Sequence, residues 1–174
     1  MIHNHLLSSA KQSPSDNHNE RGVGISMVVI HSISLPPGEF DNNYIEQFFT
    51  NQLDFFAHPY FKTIKDLQVS AHLLIRRDGS IIQFVPFDKR AWHAGKSSFN
   101  GKNNCNDFSI GIELEGDDNT PYESVQYQSL NKTLKTLKSS YPIKDIVGHS
   151  DVSPGRKTDP GDKFEWSKIN EITE

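Results

Sequence analysis

Two histidines in this chain stand at corresponding places. His31 closes the run Ser26-Met27-Val28-Val29-Ile30, and His149 follows Ile146-Val147-Gly148. Continuous apolar, β-branched runs of this length suit strands buried on both faces. Two such strands side by side would bring both imidazoles to one rim of a sheet, and open α/β sheets commonly bind ligands at the carboxyl ends of their strands. Beyond His149 come Lys157 and Asp159, in a loop stiffened by Pro154 and Pro160 and bent by Gly155 and Gly161. Proline and glycine set loop geometry, which matters when polar groups must be held in place. Imidazoles and a carboxylate held this way can ligate zinc and leave one coordination position open, with Lys157 as a cation beside the site. The competing reading of the same residues is simpler: strand-capping histidines and a surface loop with a polar cluster.

A third segment, Asp107-Phe108-Ser109-Ile110-Gly111-Ile112-Glu113-Leu114-Glu115-Gly116, alternates as a strand does. Ile110, Ile112 and Leu114 share one face; Gly111, Glu113 and Glu115 share the other. Gly111 leaves space on that second face, and Glu113 projects into it. A carboxylate in a partly desolvated cleft can serve as a general base. A solvent-facing strand edge fits the pattern equally well, and Glu115 competes for the same role. Trp92 and His93, in the loop Arg90 to Gly95, offer an indole and an imidazole suited to substrate contact, and His93 is equally suited to a place behind the metal ligands. His93 is also the rival third metal ligand, although no buried strand precedes it. His72, inside a strand pattern, reads as a packed core histidine.

Composition narrows the function classes. A chain of 174 residues suggests one domain. The formal net charge of −4 gives no basis for nucleic-acid binding. Cys105 is the only cysteine, which excludes an intramolecular disulfide and a cysteine-based structural zinc site. Residues 1–12 lack a basic start and a sustained apolar run, no stretch is long enough to span a membrane, and a cytoplasmic location is expected. Phosphate-loop and serine nucleophile-elbow patterns are missing too. Residues 1–22, rich in Ser, Asn and His, are expected to form a mobile or loosely docked arm, with the folded domain over 23–174.

The remaining segments read as scaffold. Asp41 is a candidate N-cap for a helix carrying Tyr44, Ile45, Phe48 and Phe49. Asp78-Gly79 between apolar runs predicts a hairpin joining strands 69–75 and 80–85. Thr120-Pro121-Tyr122-Glu123 predicts a capped helix start, followed by a stripe of Val125, Leu130, Leu134 and Leu137. Lys163–Ile169 is expected to close the domain, with Trp166 as its core anchor.

Several motifs in order resemble one family. His31 with Ser34-Leu35-Pro36-Pro37-Gly38-Glu39-Phe40, Gln83 to Asp88, Ala91-Trp92-His93-Ala94-Gly95, Cys105 to Gly116 and Arg156 to Gly161 are similar to the zinc N-acetylmuramoyl-L-alanine amidases. The resemblance spans about residues 23–166. It implies an α/β domain with a central mixed sheet flanked by helices, and one zinc on His31, His149 and Asp159. Glu113 and Lys157 then take the catalytic positions, while Trp92 and His93 border the substrate groove. The subgroup resembled acts on 1,6-anhydro muropeptides in cytoplasmic peptidoglycan recycling, as a monomer on a soluble substrate. Wall-degrading amidases and non-catalytic peptidoglycan-binding modules share the fold and are the alternatives. The chain departs from the family pattern at Ser32, where Asn is usual, and at Asn104, where a basic residue is usual; Lys102 stands near enough in sequence to replace the latter.

Overall fold

The computed structural model describes residues 1–169. Its centre is a six-stranded mixed sheet. The strands are β1 (Lys11–Gln12), β2 (Met27–Ile33), β3 (Leu73–Ile75), β4 (Ile81–Gln83), β5 (Ser109–Glu115) and β6 (Asp145–Gly148), in the order β6-β2-β5-β3-β4-β1. Pairing is parallel from β6 through β3, antiparallel between β3 and β4, and parallel again at β1. The run before His31 thus lies in an interior strand, as a strand buried on both faces must. The run before His149 is the half-buried edge strand β6 beside it, not the second fully covered strand its apolar residues suggest.

Parity along β2 and β5 sorts the sheet into two faces. Val28, Ile30, Ile110, Ile112 and Leu114 pack beneath helix α2 (Ser124–Ser140) through Tyr127, Leu130, Leu134 and Leu137. The opposite face carries Met27 and Val29, packed with Ala94, Cys105 and Val152. Farther along that side, helix α1 (Tyr44–Phe49) joins Phe61, Leu74, Ile82 and Phe84 in a second aromatic cluster.

Several local expectations shift. Helix α1 begins after Asn43, because Asp41 has φ +58° and spends its N–H on Glu115. Asn42 instead accepts from the Tyr44 N–H. Helix α2 starts three residues later than Thr120 suggests, with the capping box formed by Glu123 and Gln126. Val125 falls off its buried stripe and is exposed. In the closing segment Phe164 and Ile169 are the buried residues, while Trp166 is half-buried against Phe164.

The largest correction concerns residues 1–22. Composition suggested a mobile arm; the segment instead is built into the domain. Ile2–His3 and Leu6–Leu7 form a ribbon, β1 extends the main sheet, and His18–Glu20 pairs with Lys89–Ala91. Leu7, Ser15 and Asn17 are buried. Arg21 donates to the carbonyls of Asn106, Asp107, Lys89 and Ser109. Burial pulls its guanidinium down to about 10, still protonated at neutral pH. Polar side chains here satisfy backbone groups of the core, a role that composition does not distinguish from solvation.

Candidate metal centre and active site

Register creates the site. Glu113 lies directly opposite His31 across the β2–β5 pair, and Gly148 lies opposite Ile30, so His149 emerges beside His31. His149 opens the single-turn helix α3 (His149–Val152). The loop beyond returns Asp159: its carbonyl accepts from the Ser150 N–H, and the Tyr122 hydroxyl donates to the neighbouring Pro160 carbonyl at 2.8 Å. Thr158 adds a hydrogen bond to Asp118.

Three donors converge. Asp159 Oδ2 lies 3.0 Å from His149 Nδ1 and 3.2 Å from His31 Nδ1, and the two Nδ1 atoms are 2.9 Å apart. One ligand atom from each residue lies within 4.8 Å of the others. Both histidines are buried and Asp159 is half-buried. Burial pulls His31 down to about 4, against the opposing pull of the Asp159 carboxylate, so at neutral pH it is an uncharged imidazole. Burial pushes the Asp159 carboxyl up, but the imidazoles of His149 and His31 against it outweigh this and hold it well below the usual range. A neutral His31 imidazole and an ionised Asp159 carboxylate are protonation states a metal requires. Two nitrogens and one carboxylate oxygen, buried at the rim of a cleft, fit a zinc site with an open position.

Glu113 is placed otherwise. Its Oε1 is 4.0 Å from His31 Nδ1, and its Oε2 is buried without a hydrogen-bond partner among the described residues. Burial and the charge of Asp159 push this carboxyl well above its usual range, opposed by Lys157. A buried carboxylate oxygen left unpaired is costly, and such groups mark functional sites. Glu115, the rival base, is fully buried but satisfied: it accepts from the Asp41 and Arg77 N–H groups, and Arg76 Nε is 3.7 Å away. It does not line the cleft.

The cleft holds about 460 Å³ and is lined by the donors, Glu113, exposed Lys157, Trp92 and the apolar side chains Leu35, Tyr60, Ile64 and Leu67. Trp92 donates through Nε1 to Asn19. His93 touches the cleft but is buried, with Nδ1 2.9 Å from His31 Nε2. The space that Gly111 leaves is filled by this ring, since a Cβ there would overlap it. His72 is fully buried and bonded to the Gly111 N–H and the Lys89 carbonyl, as a core histidine. Lys102 sits in a two-stranded ribbon with its ammonium over the Phe108 ring and does not line the cleft.

Residues that sequence reasoning passed over complete the frame. Asn106 Oδ1 accepts from the N–H groups of His93 and Ala94, fixing the loop that carries both. Ser109 Oγ lies 3.2 Å from His93 Nε2. Their partners are 12 to 16 residues away, beyond any local pattern.

A family model described as N-acetylmuramoyl-L-alanine amidase matches residues 17–162. The chain belongs to the N-acetylmuramoyl-L-alanine amidase family. This amidase is 50% identical over 174 residues to the 1,6-anhydro-N-acetylmuramyl-L-alanine amidase AmpD of Enterobacter cloacae, covering 98% of this chain and 93% of that one. It is 51% identical over 167 residues to AmpD of Escherichia coli K12, covering 94% and 91%. A crystal structure of a selenomethionine derivative of AmpD superposes with a TM-score of 0.96 at 49% identity, over 99% of this chain and 98% of the other. The amidase AmiD of E. coli, in complex with anhydro-N-acetylmuramic acid-L-Ala-D-γ-Glu-L-Lys, matches with a TM-score of 0.61 at 32% identity, over 83% of this chain and 56% of its own. The mixed sheet with flanking helices is the fold these relatives share.

Proposed function

We propose that this amidase hydrolyses the amide between 1,6-anhydro-N-acetylmuramic acid and the L-alanine of soluble muropeptides, with one zinc held by His31, His149 and Asp159. The observation that carries the chemistry is Glu113: a buried carboxylate with an unpaired oxygen, beside a three-donor set at the mouth of a cleft. Relatives about half identical over nearly their whole length carry the 1,6-anhydro name, which supports the substrate class.

Zinc on such a donor set lowers the pKa of water towards about 7 and polarises a carbonyl. The protein does the rest. Glu113 takes the proton of the attacking water and later delivers it to the leaving nitrogen of L-alanine. Its raised proton affinity suits both tasks, since a carboxylate at the usual value is a weak base near neutral pH. Lys157 reaches over the cleft and shares the negative charge that develops on the carbonyl oxygen. Trp92, held by Asn19, offers an aromatic wall for the sugar. A monomer acting on a soluble fragment in the cytoplasm completes the proposal.

The test compares kcat/KM on a soluble anhydromuropeptide, on its reducing counterpart and on intact sacculi. A clear preference for the anhydro form is expected. Equal rates on the two fragments with ready digestion of sacculi would make the enzyme wall-degrading. Chelation should abolish turnover and zinc should restore it, while His149→Ala should lose the metal; full zinc occupancy in that variant would move the ligand set.

A further inference from the structure

The imidazole of His93 belongs to neither the donor set nor the general-base position, yet it is buried against one of the ligands. Its two nitrogens are both engaged: Nδ1 with His31 Nε2 at 2.9 Å and Nε2 with Ser109 Oγ at 3.2 Å. Ser109 Oγ in turn lies 2.6 Å from the Cys105 carbonyl oxygen. That last contact sets the direction of the whole chain. Two oxygens at 2.6 Å need a proton between them, and a carbonyl has none to give, so the Ser109 hydroxyl donates to Cys105. With its only proton committed, Ser109 can only accept from His93, which places the His93 proton on Nε2. His93 Nδ1 is then a lone pair, and it can only accept from His31. The His31 proton must therefore sit on Nε2, leaving Nδ1 a lone pair. With His149 Nδ1 and Asp159 Oδ2 within 3.2 Å of it, this makes a cluster of acceptors that only a shared cation would hold together.

We infer that His93 is a positioning residue of the metal centre: with Ser109 and the Cys105 carbonyl it forms a one-directional hydrogen-bond relay that holds His31 in the tautomer able to bind zinc through Nδ1. The inference rests on reading His31, His149 and Asp159 as the zinc ligands. The relay is all or none. If His93 carried its proton on Nδ1, His31 would have to accept at Nε2, and a neutral His31 would then carry its proton at the metal-facing nitrogen. His149 has no such relay: its Nε2 lies 3.2 Å from the Ala94 carbonyl, which favours the same tautomer, and a longer 3.4 Å from Arg156 Nη2, which already donates to that carbonyl at 2.7 Å. Partners of this kind behind a metal-binding histidine orient the ring and raise its basicity. Gly111 belongs to the same device, since any side chain there would displace the His93 ring.

Two measurements on the zinc-loaded, full-length protein test it. The first is nitrogen NMR of the imidazoles in the unmutated enzyme. His93 should be protonated on Nε2 alone; a proton on His93 Nδ1 overturns the relay. The second is zinc affinity by chelator competition for His93→Phe and His93→Asn. Phe keeps the ring volume but offers no acceptor, whereas Asn leaves empty space but places an amide oxygen where Nδ1 stood. Zinc should bind His93→Phe about 10- to 100-fold more weakly than the unmutated protein, with His93→Asn closer to it. A packing role predicts the reverse order, and equal affinity in all three proteins also overturns the relay while leaving the zinc ligands standing. Failure of the unmutated protein to bind zinc would instead remove the ligand assignment, and the inference with it. If His93→Phe does not fold, the NMR result decides.

Discussion

Glu113 and Glu115 stand two residues apart on one face of one strand, and both are buried. Their surroundings differ in kind. Around Glu115 the chain closes: the N–H groups of Asp41 and Arg77 point at the carboxylate, with Arg76 near, so its charge ties the start of α1 and the β3–β4 turn to the central strand. Around Glu113 the chain stays open: one oxygen has no partner among the described residues, and its charged neighbours are Asp159 and Lys157. The first carboxylate is solvated by protein, and the second is left for a ligand. Burial alone does not separate structure from chemistry; the count of satisfied hydrogen bonds does.

The sharpest way to break this contrast is Glu113→Gln. Turnover should fall by on the order of a hundredfold or more, with zinc retained, because the isosteric amide cannot take a proton from water. Near-normal turnover, measured with metal content in the same preparation, would move the base elsewhere. Lys157→Ala should be the next largest effect, on the order of tens- to hundredfold in kcat with little change in zinc content, if it acts on the developing oxyanion. A change in KM alone would reassign it to ground-state binding.

Glu115→Gln should do the opposite of Glu113→Gln. It should cost about 1–3 kcal/mol of stability by weakening hydrogen bonds to a buried carboxylate. Activity per folded molecule should be nearly unchanged. Urea unfolding and active-site titration together check this, and a folded but inactive Glu115→Gln would undo the comparison.

The smallest expected effect is one of pH in the metal-free protein. Burial holds the Glu113 carboxyl well above its ordinary value, so the folded state keeps a proton that the unfolded chain releases. Stability attached to that proton is fully present below the ordinary value of about 4.3 and is lost as pH rises towards the folded one. Glu113→Gln removes the linkage. In chelator, its stability relative to the unmutated protein should therefore increase from pH 4.5 to pH 8. A constant difference across that range would mean that the carboxyl titrates alike in both states.

Much of this could be read from residue order alone. The run before His31 marked a central strand because a strand covered on both faces must be apolar throughout, but the run before His149, which reads the same way, forms the half-buried edge strand of the sheet. Alternation along 109–115 placed Glu113 and Gly111 together on the face away from α2, since side chains in a strand alternate by covalent geometry. What needed the tertiary structure was every statement that depends on partners distant in sequence. Composition could not tell that the polar residues at the start of the chain satisfy core carbonyls, because Arg21 meets acceptors 68 to 88 residues away. Alternation could not separate Glu113 from Glu115, because both obey the same parity, and only the approach of Asp41 and Arg77 satisfies the second. Sequence left His93 open between a substrate contact, by its neighbour Trp92, and a place behind the metal ligands. Its ring lies behind His31 because Gly111, 18 residues on, leaves room there and Ser109 supplies the acceptor for its second nitrogen.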